Sequence, residues 1–226
     1  MRKFFIISIS VLMFQAMGMA QSTFGLSLEG FAPTGDFKRD SPELWGGGFG
    51  MEVAIQINNS PIHVGGQFNF IRYGSEVRDG WHGPGLGDVR VRRNNEIFNT
   101  LGFVRLKPEV KGRVQPYVDF LAGFNYIYTR ANFRDSALEE EFAQNKDLGD
   151  FSLSYGVGGG FEIFLDEYVS LDFRVKTLRG TQADYLTSRS VTYNNEFEAY
   201  DLNIKNAKLD YFTFSIGVKV LLSSID

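Results

Sequence analysis

The chain has no cysteine in its 226 residues. That excludes a disulfide framework, a thiolate metal site and a lipid-modified N-terminal cysteine. Histidine is nearly missing too, with 2 in all, His63 and His82. Two imidazoles without a thiolate make a poor transition-metal site, so no metal and no other cofactor is expected. Beyond residues 1–20 no apolar run is long enough to cross a bilayer as a helix. No serine stands at strand spacing from either histidine, so no nucleophile–base pair is legible and no catalytic residue is assigned. The glycine-rich GVGGG at 156–160 is not followed by a helix, which removes it as a phosphate loop. Basic residues are the minority, 23 Lys+Arg against 27 Asp+Glu, and a nucleic-acid partner is not expected of such a chain.

What is present is strand-forming: aromatics reach 15%, glycine numbers 25 and proline only 6. Residues 1–20 read as a cleaved signal peptide. Arg2 and Lys3 precede an apolar run from Phe4 to Met17, and Gly18-Met19-Ala20 supplies small residues before Gln21. Without Arg2 and Lys3, 21 basic residues face 27 acidic ones, a net charge of −6 for residues 21–226.

The rest repeats with period two. In 209–222 (LDYFTFSIGVKVLL), Phe212, Phe214, Ile216, Val218, Val220 and Leu222 alternate with Tyr211, Thr213, Ser215, Gly217, Lys219 and Leu221. That is the side-chain period of a strand with one apolar face. Similar segments fall at 23–33, 46–58, 62–74, 97–107, 115–130, 151–165 and 168–178. The fourth is the least regular, because Leu101 and Phe103 share a face with Asn99 and Arg105. A short helix is expected only within 136–145, where Ser136 caps and Glu139 follows. Short joins (59–61, 108–114, 166–167) alternate with long ones (34–45, 75–96, 131–150, 180–206). The expected fold is therefore an all-β, eight-stranded antiparallel up-and-down transmembrane β-barrel over 21–226, with short turns at one end and long loops at the other.

Alternation leaves open which face is outside. A soluble lipocalin-like, lipid-binding barrel would turn the apolar residues inward. Strand length favours the membrane: about 11 residues at roughly 3.3 Å each, tilted ~40°, cover an apolar band of about 25 Å. Phe24, Phe49, Phe70, Phe98, Tyr128, Phe151 and Tyr211 lie towards strand ends, as interfacial girdles would. The chain resembles the small eight-stranded outer-membrane barrels of Gram-negative bacteria, of the OmpA-transmembrane-domain and OmpX kind. The sharpest match is the last strand, where Ser215, Gly217, Val220 and Leu222 follow the order polar, any, Gly, two spacers, then two apolar residues one apart. The resemblance implies that the barrel-assembly machinery reads these four residues. The aliphatic ends in place of aromatics, and Ser223 to Asp226 beyond them, depart from that pattern. No peptidoglycan-binding domain is expected after the barrel.

With the apolar face in lipid, Glu29, Glu52, Arg105, Lys107, Asp119, Glu162, Asp172, Arg174, Lys176 and Lys219 point inward. Unpaired buried charges are costly, so these form either an ionic plug or the lining of a narrow ion path. Arg90, Arg92 and Arg93 stand at the loop end of the fourth strand. They either contact lipopolysaccharide phosphates or belong to a solvated hairpin. The carboxylates of 131–150 are read as a solvated face. The expected protein is a non-enzymatic, monomeric outer-membrane barrel with a structural or surface-interaction role through its long extracellular loops, an outer-membrane lipid hydrolase being the enzyme alternative. A small pore or a secretion-accessory barrel is the alternative.

Overall fold

The computed structural model describes residues 21–222 apart from 41–44, 82–88, 109, 111, 136–140, 187–190, 195–198 and 203. The expected signal peptide at 1–20 and the tail at 223–226 lie outside the described residues. Eight long strands form one closed barrel: β1 (Ser22–Pro33), β2 (Gly46–Gln56), β3 (Ile62–Trp81), β4 (Val89–Leu106), β5 (Val114–Asp135), β6 (Glu141–Phe164), β7 (Val169–Gly180) and β12 (Tyr211–Leu222). Sequential barrel strands pair antiparallel, and β12 closes the ring by pairing with both β7 and β1. The seam runs in unbroken register from Ser22↔Leu222 to Pro33↔Tyr211, so the ring itself has no gap. Four short strands lie in the last long join, β8 (Gln182–Tyr185), β9 (Val191–Asn194), β10 (Ala199–Leu202) and β11 (Lys205–Lys208), paired β8 with β11 and β9 with β10.

The period-two pattern decides which side chains go where. Leu28, Phe49, Phe151 and Leu153 stand on the outside at 59–74% exposure, while Glu52, Asp119, Asp172 and Lys219 are inside at 5% or less. Charge inside and large apolar groups outside is the reverse of a water-soluble protein, and hydrocarbon around the barrel satisfies both faces. The lipocalin-like alternative needs the opposite arrangement and does not fit. Phe49, Phe70, Phe98, Tyr126 and Phe151 are consecutive cross-strand partners over five strands, forming one outward aromatic row towards the long-loop end. Tyr128 follows one step further along β5. Tyr211 is not part of any girdle: it is completely buried inside the barrel. It shares the inward parity of Thr213 and Ser215 on β12.

The short turns are tight for local reasons. At the β2–β3 join Asn58 and Asn59 both have positive φ (46° and 53°), and the Ser60 amide donates to the Ile57 carbonyl. This is the turn whose twist matches a hairpin, and asparagine tolerates it better than other residues with a Cβ. The turn therefore centres one residue earlier than the 59–61 join expected.

At the other end β3 to β6 run well past their expected limits. The β3–β4 ladder continues to Trp81↔Val89 and the β5–β6 ladder to Arg134↔Glu141. Backbone pairing needs no apolar face once both sides meet water, so the alternation stops before the strand does. Residues 141–145 are strand, not the expected helix, and 136–140 lie outside the described residues. The helix that does form is α1 (Gly35–Asp40), in the first long join. It folds back over the barrel mouth.

Candidate functional site

The barrel's bore is where most of the expected functional residues converge, and it is filled in three layers. The layer nearest the short turns is ionic. Arg105 from β4 donates from Nε and Nη2 to the two carboxylate oxygens of Asp119 (2.7 and 2.9 Å) and from Nη1 and Nη2 to those of Glu52 (3.0 and 3.2 Å). Arg174 from β7 places Nη2 2.5 Å from Glu52 and 3.0 Å from Asp172. Lys219 from β12 lies 2.9 Å from each of Glu52, Glu162 and Asp172. Lys107, nearer the mouth, donates to the other oxygen of Glu162 at 2.5 Å. With Glu29 and Lys176 the layer holds five acids and five bases, and their charges cancel.

Tyr117 is the organising residue that the sequence reading passed over. Its hydroxyl donates to Asp172 (2.6 Å) and accepts from Arg174 Nε (2.8 Å). The Arg105 guanidinium and the Lys219 ammonium lie 4.1 and 4.7 Å from its ring centroid, where a desolvated cation gains from the ring's negative face. The ring fits because Gly160 faces it: a Cβ there would come within 2.6 Å of the Tyr117 hydroxyl oxygen and 2.3 Å of the Phe173 carbonyl oxygen. The signal was in the sequence, since Tyr117 has the parity of Asp119 and so belongs to the inward face.

The middle layer is neutral. Asn69 donates to Asn99 (2.9 Å), Asn99 to Asn125 (2.5 Å) and to the Tyr211 hydroxyl (3.0 Å), and Tyr211 in turn to Asn125 (2.8 Å). β12 and β4 are diametrically opposite in the ring, so the Tyr211–Asn99 bond spans the bore. At the border with the ionic layer, the 3.0 Å bond from Lys176 on β7 to Gln67 on β3 spans the bore as well. Beside Gln67 and Glu29 lies a void of about 10 Å³, enough for about one water molecule.

The layer under the long loops is an apolar cap. Phe37 of α1 is fully buried, with ring centroids 4.9 Å from Tyr185, 5.7 Å from Tyr73 and 6.0 Å from Phe31. Ile71, Ile97, Ile127 and Leu178 from the wall, and Ala183, Ala207 and Leu209 from the last long join, complete it. The Asp210 carbonyl accepts from the Thr34 amide (2.9 Å) and its carboxylate from the Gly180 amide (3.2 Å), tying the first and last joins together.

The remaining expected residues sit elsewhere. Ser215 and Gly217 face the interior of β12, and Val220 and Leu222 face outward. A Cβ on Gly217 would meet the Leu26 carbonyl oxygen at 2.5 Å, so this glycine allows β1 and β12 to close. Arg90, Arg92 and Arg93 belong to the outer continuation of β4, where Arg92 and Arg93 pair with Val77 and Glu76 of β3 and Arg90 with Arg134 of β5; their side chains lie outside the described residues. His63 is half-buried at the short-turn mouth, and His82 lies outside the described residues. No group of three potential metal ligands occurs among the described residues.

No family model and no curated protein matches the chain. Among solved structures it is similar to the Neisserial surface protein A, with 11% identity over 90% of this chain and 97% of that one (TM-score 0.42). It is also similar to a major outer membrane protein of Thermus thermophilus, with 13% identity over 89% and 99% (TM-score 0.47). A third likeness is to the outer membrane protease OmpT of Escherichia coli, with 9% identity over 91% and 97% (TM-score 0.40). At these identities the likeness is one of barrel architecture alone.

Proposed function

We propose that this chain is a monomeric, non-enzymatic outer-membrane barrel that conducts nothing and acts through its outer surface. The observation that carries this is the pair of hydrogen bonds across the full bore, Lys176–Gln67 and Tyr211–Asn99, with the Phe37 cap above them. A lumen wide enough for a hydrated ion has no room beside them. The ionic layer is a neutral plug that fills an eight-stranded interior. Insertion depends on the barrel-assembly machinery reading Ser215, Gly217, Val220 and Leu222, and the outer leaflet around the barrel contains lipopolysaccharide. Function then resides in the long outer hairpins. Single-channel recording of residues 21–226 refolded into a planar bilayer tests this. Stable insertion without discrete current steps is expected. Steady steps whose size changes with Arg174→Ala would refute it and make the ionic layer a conduction path.

A further inference from the structure

One row above the outward aromatic row, the lipid-facing surface changes character. Its members are direct cross-strand partners: Gly47, Arg72, Glu96, Tyr128 and Gly149, on β2 to β6. Arg130 stands two residues beyond Tyr128 on the same outward face of β5. Glu96 is only 2% exposed, although its face is the outer one. Arg72 covers it, donating from Nε and Nη2 to one carboxylate oxygen at 3.0 and 2.6 Å, and Tyr128 stands beside it as its direct cross-strand partner. The Arg72 side chain remains 49% exposed. Arg130 is exposed too, with its guanidinium 5.6 Å from the Tyr128 ring centroid.

The acid is thus hidden and the two guanidiniums face out, a local charge of +1. Tyr128 stacks on Tyr126 of the aromatic row below (5.3 Å between centroids), which sets Tyr128, and Arg130 over its ring, directly above that row. Both ends of the row that holds Arg72 are glycines, Gly47 on β2 and Gly149 on β6, so neither end adds a side chain at that height. Guanidiniums held just above an aromatic girdle meet phosphate groups, and the planar fork suits phosphate oxygens.

We propose that Arg72 and Arg130, braced by Glu96 and Tyr128, form a binding site for the phosphate of an outer-leaflet lipid headgroup. This rests on the membrane reading above. It places the lipid contact on the barrel wall between β3 and β5, below the Arg90, Arg92 and Arg93 segment. Glu96 is a positioning residue: it sets the Arg72 plane and touches no lipid.

The test uses residues 21–226 refolded into phosphatidylcholine vesicles containing bis-phosphorylated lipid A, or the fully dephosphorylated form. Lipid retained after mild detergent extraction is counted by native mass spectrometry. The phosphorylated form is expected to stay bound. The Arg72→Gln/Arg130→Gln pair should reduce its retention roughly ten-fold or more, while Arg179→Gln, an exposed arginine on β7, leaves it unchanged. Altered gel mobility on heating shows that each variant is folded. Equal retention of the dephosphorylated form, or full retention by the double variant, overturns the site. So does displacement of the lipid by inorganic phosphate at matched ionic strength, which would make it a site for the free anion. Loss on replacing Arg90, Arg92 and Arg93 alone would move the contact to that segment and overturn the assignment. A wild-type chain that does not insert at all refutes the membrane reading itself, a result distinct from insertion without retention.

Discussion

Replacing Arg105 with Met probes the ionic layer directly, because the two carboxylates it serves depend on it unequally. Asp119 takes hydrogen bonds from Arg105 at 2.7 and 2.9 Å, and its next cation, Arg174, is 3.8 Å away. Glu52 loses two hydrogen bonds but keeps Arg174 at 2.5 Å and Lys219 at 2.9 Å. Arg105→Met should therefore cost about 3–5 kcal/mol, the usual consequence of stranding a buried charge. A second substitution that removes the stranded charge should return part of that cost, and the return should depend on which carboxylate is neutralised. Arg105→Met/Asp119→Asn is expected to show a coupling of about 1–3 kcal/mol. Arg105→Met/Glu52→Gln should show clearly less, since Glu52 remains paired and neutralising it strands Lys219 and Arg174 in turn. The assay is urea unfolding in lipid vesicles, followed by tryptophan fluorescence and approached from both the folded and the unfolded side. A single-variant cost below about 1 kcal/mol, the range of solvent-screened pairs, would refute the reasoning, because it would mean that water fills the bore. Equal coupling for the two carboxylates would refute the unequal dependence.

Two further substitutions separate the outer cap from the barrel wall. Phe37→Ala removes the ring at the centre of the aromatic cap and should cost about 3–5 kcal/mol locally. Its signature in hydrogen exchange is lost protection at residues 182–186 and 205–209 with unchanged protection in β4 and β5; uniform loss would mean that cap and barrel unfold as one unit. Gly217→Ala forces β1 and β12 apart at the Leu26 carbonyl, so the yield of folded barrel in vesicles without any assembly factor should fall. An unchanged yield would assign the glycine to recognition by assembly machinery instead of seam geometry.

The barrel was legible in the sequence because a membrane imposes opposite demands on alternate residues, and each spanning strand records them. Strand number, the alternation of short and long joins and the inward set of ten charges all follow from that one rule. The outer limits of β3 to β6 were not legible. Past Ser75 on β3 and before Asn94 on β4 neither face meets lipid, so continued pairing left no periodic trace. Phe37 was hidden for another reason. Its short helix carries no repeat, and a single phenylalanine between Asp36 and Lys38 gives no hint that its ring is buried against residues far away in sequence. Tyr211 misled because an aromatic at a strand end suits a girdle, while its parity with Thr213 and Ser215 placed it inside. Parity, not residue type, decides the side of the wall.

The same parity argument locates the outer boundary of the hydrocarbon. On β3 the inward residues run His63, Gln67, Asn69 and then Ile71 and Tyr73, while the outward ones run Val64, Phe68, Phe70 and then Arg72. β4 changes between Phe98 with Asn99 and Glu96 with Ile97. On β5, Asn125 gives way to Ile127 inside as Tyr126 gives way to Tyr128 and Arg130 outside. β7 passes from Lys176 to Leu178 inside and from Val175 to Arg179 outside. Ile71, Ile97 and Ile127 are direct cross-strand partners, so three of these reversals fall at one height. Below that height the wall faces hydrocarbon and the interior holds the paired charges and the asparagine network beside Leu101, Phe103 and Leu121. Above it the wall faces water, and the interior becomes an aromatic core made by Phe31, Phe37, Tyr73 and Tyr185, with Asn95 and Thr129 hydrogen-bonded to each other beside it. β3, β4, β5 and β7 are therefore each two proteins in series, inside-out and then right-side-out, joined at the level where Arg72 and Glu96 first appear on the outer face. A cap of this kind is stabilised by water outside it, which explains why Phe37 and its aromatic neighbours lie towards the long loops and the charged part lies within the membrane.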